Sequence, residues 1–238
     1  MHFVIHEPTI SLYAPIVLAS IVAGIIAAVL LMKRAGAKPQ TLGLTAVLTF
    51  VSILMFSFML SYLITGDIRK VSFVGAGGAL GLIFGATASV IIHRDHVKES
   101  FAAWIVAAPL MYGLSKLACH VTGCCYGIKY EGPLYVIYPD AENAPYFPVQ
   151  LAEVVVFLLI FAVGIVIFRK KSYLTAAGVA LGLSAAAKIG LDYLRESHGT
   201  AIVTWYQILV AVITAAGYIV IAIIKKKYDN SPLEKERG

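Results

Sequence analysis

Apolar residues gather into long runs along almost the whole chain, separated by short polar stretches. Segments near 11–32, 42–65, 73–93, 101–118, 149–168, 174–194 and 202–224 are each long and apolar enough to be read as a span. A helix needs roughly 18 or more such residues to cross about 30 Å of hydrocarbon. The pattern predicts an all-α, polytopic membrane protein with seven transmembrane helices. No internal repeat, low-complexity tract or linker interrupts it, so residues 1–238 read as a single integral membrane domain. Its extramembrane parts are a polar loop at about 126–147 and a tail at about 225–238.

Composition excludes the soluble alternative. Of 238 residues, 60% are hydrophobic and 13% charged, and the mean hydropathy is +0.85; a soluble domain carries about a quarter charged residues.

The positions of Lys and Arg then orient the spans, because basic residues in short loops are retained on the cytoplasmic side. Lys33, Arg34 and Lys38 follow the first span, Arg94 and Lys98 the third, Arg169 to Lys171 the fifth, and Lys225 to Lys227 the seventh. The opposite connections hold fewer: Arg69, Lys70, Lys129 and Arg195. This predicts an external N-terminus and a cytoplasmic C-terminus, which makes 126–147 an external loop and 225–238 a cytoplasmic tail. The net charge of +6 is then mainly a topology signal, with anchoring to acidic lipid and no role in nucleic-acid binding. His2, His6 and Glu7 precede the first apolar run, where a secretory signal would place positive charge, so that run is expected to be retained.

Ionisable residues inside the spans cost about 2.5–3.5 kcal/mol each on insertion, which marks them as candidate functional groups. Lys116, His120 and Cys124 are spaced i, i+4, i+8 and share one stripe for as long as the fourth helix continues past Gly123. Lys188, Asp192 and Arg195 are spaced i, i+4, i+7 on the sixth span. Gln150 and Glu153 open the fifth span in FPVQLAE, and Gln207 opens the seventh after Trp205 and Tyr206. A bland arrangement has Lys188 and Asp192 neutralising each other, Lys116 snorkelling to the interface, and Trp205, Tyr206 and Tyr126 forming an aromatic belt. Basic, acidic and amide groups converging on one leaflet also make what an anionic lipid headgroup requires, with Lys116 and Lys188 as point charges for phosphate. The Tyr- and Pro-rich segment 126–147 is long enough to act as a lid or docking surface over such a pocket.

CHVTGCCYG, residues 119–127, holds all three cysteines. Four readings stay open: a metal site, a disulfide, a cysteine nucleophile with a base, and a small-residue helix end. Close spacing weighs against zinc, since structural sites usually draw separated pairs, and the site is expected to hold no metal. A disulfide leaves one cysteine over. For a nucleophile, His120 is the candidate base and Cys124 or Cys125 the candidate thiolate.

Several segments, in order, resemble the prolipoprotein diacylglyceryl transferase family over residues 70–238. AGGALG at Ala76 to Gly81 is similar to the family's H-G-G-L-x-G. APLMYGLSKLACHVTGCCYG resembles its APL run and G-R-x-G-N-F-x-N-x-E-x-x-G signature. FPVQLAE resembles H-P-S-Q-L-Y-E, KIGLDYLRES resembles R-F-x-x-E-F-x-R, and QIL from Gln207 opens the last span. The chain departs from the pattern at Lys116 and Lys188 (family Arg), Asp192 (Glu), Ala76 and Phe147 (His), Cys119 (Asn) and Cys124 (Glu). Arg195 keeps its type. The chain thus looks like a divergent member.

The resemblance implies a multi-pass transferase of the bacterial inner membrane, without cofactor. It would take a diacylglyceryl group from a glycerophospholipid, phosphatidylglycerol above all, and place it on an acceptor at the outer face, with a lipoprotein cysteine thiol as the inherited acceptor. Lys116, Cys119, Gln150, Glu153, Lys188, Asp192 and Arg195 are then the expected substrate-binding residues, and His120, Cys124 and Cys125 the expected catalytic ones. Rival expectations are a cysteine-nucleophile lipid or acyl transferase with another acceptor, protein or small molecule, and a noncatalytic relative that binds lipid or peptide.

Overall fold

A computed structural model describes residues 2–4, 10–138 and 144–228. Seven helices are long and apolar enough to cross a membrane. They are α1 Tyr13–Arg34, α2 Pro39–Thr65, α3 Gly75–His93, α4 Val97–Val121, α5 Val149–Arg169, α6 Tyr173–Asp192 and α7 Trp205–Tyr228. All seven expected spans are present, with ends displaced by a few residues. The expected tail lies outside the described residues from 229 onward, and its first part, through Tyr228, is the end of α7.

α4 is the hub, packing against α1, α3, α5, α6 and α7. Its stretch from Phe101 to Ala107 is wholly buried, and the alanines there let neighbouring backbones approach. Pro109 has no N–H to give to the Ile105 carbonyl, and both residues line a cavity inside the bundle.

α2 and α3 meet along a glycine seam. A Cβ at Gly77, Gly81 or Gly85 would stand 2.7, 2.8 or 2.7 Å from the Cα of Ser57, Ile53 or Thr49. That is closer than side chains tolerate, so the seam exists only because those positions are glycine. Ser57 Oγ, buried beside the seam, accepts from Val74 N–H at 2.7 Å and donates to the Val74 carbonyl at 2.9 Å, which fixes the entry to α3.

The α4–α5 connection differs from the loop expected there. Tyr135–Ile137 (β2) pairs in parallel with His2–Val4 (β1) and antiparallel with Pro145–Tyr146 (β3). Strands of two or three residues are too short to write a period of two into the sequence. Tyr126, Tyr138 and Tyr146, the last of them in β3, pack together, with ring centroids 4.8 Å (Tyr126–Tyr138) and 5.4 Å (Tyr126–Tyr146) apart. The segment is tied down where Ile128 N–H donates to the Leu194 carbonyl and Glu196 N–H to the Tyr126 carbonyl. Residues 139–143 of the expected loop lie outside the described residues.

At the other end of the bundle, Asp95 accepts hydrogen bonds from Lys38 N–H (3.1 Å) and Thr41 Oγ1 (3.0 Å), capping α2 from the α3–α4 turn. Partial burial acts to raise the Asp95 pKa, but these hydrogen bonds outweigh it and hold the carboxyl below its ordinary value. A lowered folded-state pKa stabilises above the unfolded value and is lost as pH falls through the folded one. Asp95→Asn should therefore lower thermal stability at neutral pH, and the loss should fade on acidification below the ordinary carboxylate range. The glycine seam gives a second expectation. Gly81→Val should destabilise by at least the ~1–3 kcal/mol typical of overpacking, whereas Gly43→Ala, where a Cβ meets nothing within 4 Å, should be tolerated. Thermal unfolding of the detergent-solubilised protein measures all three variants.

Candidate active site

The end of α4, the start of α5, the end of α6 and the start of α7 come together at one end of the bundle, and at their centre lies Glu153. Gln150 and Glu153, three residues apart and so on one face of α5, are both fully buried. Gln150 Nε2 donates to the Cys124 carbonyl at 2.8 Å, which ties the first turn of α5 to the end of α4. The Glu153 carboxylate collects three cations: Lys188 Nζ at 3.0 Å, Arg195 Nη2 at 2.5 Å and Lys116 Nζ at 3.9 Å. Tyr112 Oη donates to the same carboxylate at 2.7 Å. Around Glu153, three cations and one carboxylate leave a surplus of two positive charges.

The lysine side chains are further held by aromatic rings. Lys116 Nζ stands 4.6 Å from the Tyr112 ring centroid, and Lys188 Nζ stands 5.2 Å from those of Tyr112 and Tyr206. Arg195 lies just past α6. Its burial acts to lower the guanidinium pKa, but the Glu153 carboxylate more than offsets this and holds it above the ordinary arginine value.

Asp192 has other partners. Its Oδ2 meets His198 Nδ1 at 3.2 Å and accepts from Thr204 Oγ1 at 3.2 Å. Lys188 and Asp192 therefore do not neutralise one another, although they share a face of α6. Thr204 N–H in turn donates to Gln207 Oε1 at 3.3 Å, joining the start of α7 to this network. Among the described residues, several buried polar atoms here have no hydrogen-bond partner: Arg195 Nε, His198 Nε2, Gln207 Nε2, Gln150 Oε1 and Ser184 Oγ.

Beside the cluster a cavity opens between α3, α4, α6 and α7. Its wall is largely apolar, including Ile105, Leu82 and Ile213, and Lys188, Ser184 and Tyr206 line it as well. Ala76, where the family pattern has His, lines it too. An apolar chamber that reaches a buried excess of positive charge matches the two halves of a phospholipid, acyl chain and phosphate.

The three cysteines occupy the corner where α4 ends. The helix stops at Val121, so the expected stripe of Lys116, His120 and Cys124 ends at His120. Gly123 (φ 63°) and Cys125 (φ 60°) are both left-handed and turn the chain back on itself. The sulfurs of Cys119, Cys124 and Cys125 consequently lie within 4.8 Å of one another. The close spacing that weighs against zinc in the sequence does not keep the three sulfurs apart in this turn. His120 Nδ1 meets Tyr138 Oη at 3.5 Å and pairs with neither Cys124 nor Cys125. Cys119 sits within the thiol cluster, with no hydrogen bond to the cation group.

Four participants are not among the site residues expected from the sequence. Tyr112 stands one turn before Lys116, so the lysine stripe extended backwards leads to it. Tyr206 reads there as interfacial aromatic belt. His198 and Thr204 follow the end of α6, where no helical period applies.

These features define a polytopic membrane protein with a buried cationic site at the mouth of an apolar chamber. The prolipoprotein diacylglyceryl transferase family model matches residues 1–225, and the chain belongs to that transferase family. The match takes in α1 and α2, beyond the region that the motifs alone connect. No curated protein matches the chain significantly.

Removing the hub carboxylate leaves three buried cations facing one another. Breaking a buried ion pair costs about 3–5 kcal/mol, so Glu153→Gln should lower the unfolding temperature sharply. Lys116→Met, whose ammonium is the more distant at 3.9 Å, should cost less than Lys188→Met at 3.0 Å. Thermal unfolding in detergent orders the three variants.

Proposed function

We propose that this protein transfers a diacylglyceryl group from phosphatidylglycerol to a lipoprotein cysteine thiol at the outer leaflet of the bacterial inner membrane. The observation that carries the reading is the site's charge: three cations on one buried carboxylate, beside an apolar cavity.

The charge selects for the reaction as well as for the lipid. With a phosphodiester of charge −1 the cluster retains one net positive charge. As the glycerol carbon–oxygen bond breaks, the electron pair moves onto the departing phosphate, and the glycerol phosphate released carries about −1.5 to −2 at neutral pH. The leaving state therefore matches the two spare charges better than the starting lipid does, and that difference lowers the barrier. In the same step the acceptor sulfur forms the new bond to that carbon.

The thiol proton needs an acceptor, and His198 supplies one. Asp192 favours the tautomer with hydrogen on Nδ1, which leaves the unpartnered Nε2 with its lone pair. Lys116 and Lys188 hold phosphate as point charges where the family pattern has arginine, so orientation falls more heavily on Arg195 and Gln207.

The test is incubation with labelled phosphatidylglycerol and a lipobox peptide. Labelled thioether peptide and glycerol phosphate are expected, with Lys188→Met reducing turnover by about 10²- to 10³-fold, the usual loss when one charge-stabilising donor is removed. Lipid that co-purifies and is never turned over would show a binding protein instead.

A further inference from the structure

We propose that Cys119, Cys124 and Cys125 form a three-thiolate site for a soft, thiophilic cation of the zinc(II) or copper(I) class. The inference does not rest on the transfer reaction.

All three cysteines are free, and their sulfurs lie within 4.8 Å of one another. Metal–thiolate bonds of about 2.3 Å place three sulfurs around one centre at mutual separations of about 4 Å, so a small side-chain adjustment closes the site. The backbone is already committed to this shape. Cys124 N–H donates to the Cys119 carbonyl at 3.0 Å, and Gln150 clamps the Cys124 carbonyl from α5. Cys125 is held at φ 60°, a left-handed conformation that a side-chain-bearing residue keeps only where the surroundings impose it. Thr122 Oγ1 donates to the Ala118 carbonyl at 2.8 Å and lies 3.5 Å from Cys124 Sγ, so the side chain that follows α4 packs against the sulfur cluster.

Access and charge also fit. Cys119 is buried and Cys124 half-buried, while Cys125 is exposed, so a cation has a route in from the Cys125 side. Three thiolates with zinc(II) carry one net negative charge, and with copper(I) two. Lys116, one helical turn before Cys119, belongs to the cluster with two positive charges to spare. Soft sulfur ligands select zinc or copper(I) over magnesium or calcium, which prefer oxygen.

The experiment uses the full-length protein in detergent, reduced, freed of metal by chelation, and then given zinc(II) or copper(I) alone in separate arms, with magnesium(II) as control. We expect one zinc or copper per chain after gel filtration, none of the magnesium, and protection of all three cysteines from alkylation, read by mass spectrometry. Loading with cobalt(II) should produce a sulfur-to-metal charge-transfer band. Cys119→Ser or Cys125→Ser should each weaken binding by more than roughly 100-fold. Three results would each overturn the site: substoichiometric binding, equal alkylation with and without metal, or a disulfide between any two of these cysteines in protein isolated without oxidant. The alkylation measurement needs only the wild-type chain, so a variant that fails to fold leaves the test intact. Transferase activity, present or absent, does not enter the outcome.

Discussion

The structure turns on one carboxylate taken out of water. A charge as buried as Glu153 is tolerated only when paired and hydrogen-bonded, and here Lys116, Lys188, Arg195 and Tyr112 divide that task among α4, α6 and the segment that follows α6. Because the partners come from separate elements, the electrostatics also assemble the bundle at this end: α5 cannot withdraw without stranding a charge, nor can α4 or α6. The glycine seam does the corresponding work between α2 and α3 by close backbone contact, with Ser57 hydrogen-bonded to Val74 at the entry to α3.

The surplus of cations is where structure becomes chemistry. A balanced cluster would be inert toward an anion; one with two positive charges in a low-dielectric setting attracts one strongly. The chamber beside it is walled largely by apolar side chains, a setting that suits an anion carrying an apolar group better than one free in water. Lysine at 116 and 188 keeps the charge sign of the family's arginines while giving up planar, bidentate geometry. Arg195 Nε and Gln207 Nε2 are buried donors without a hydrogen-bond partner among the described residues.

Different parts of this architecture were legible in the sequence to different degrees, and the reason is physical. Spans were readable because each must satisfy its backbone internally and present an apolar surface over a fixed thickness, a constraint written within about twenty consecutive residues. The short strands carry no such constraint. Site residues were visible as costly polar groups in apolar runs, and Lys116, Glu153, Lys188 and Arg195 do meet. Their pairing was not visible: shared helical face suggested Lys188 with Asp192, but tertiary packing gives the lysine to Glu153 and the aspartate to His198. The turn that gathers three sulfurs was hidden for a related reason, since a left-handed cysteine is something the chain context imposes and residue type does not announce.

The first turn of α5 joins two regions that chemistry would treat as separate. Gln150 grips the carbonyl of Cys124 in the thiol turn, and Glu153, one turn on, holds the cations. α4 makes the same connection from the other side, through Lys116 and Cys119. The position of the sulfurs and the position of the cation cluster are thus set by the same few residues. A group that reshapes the thiol turn must either leave the Gln150 hydrogen bond intact or pass its displacement to Glu153, because both side chains issue from one rigid helical turn.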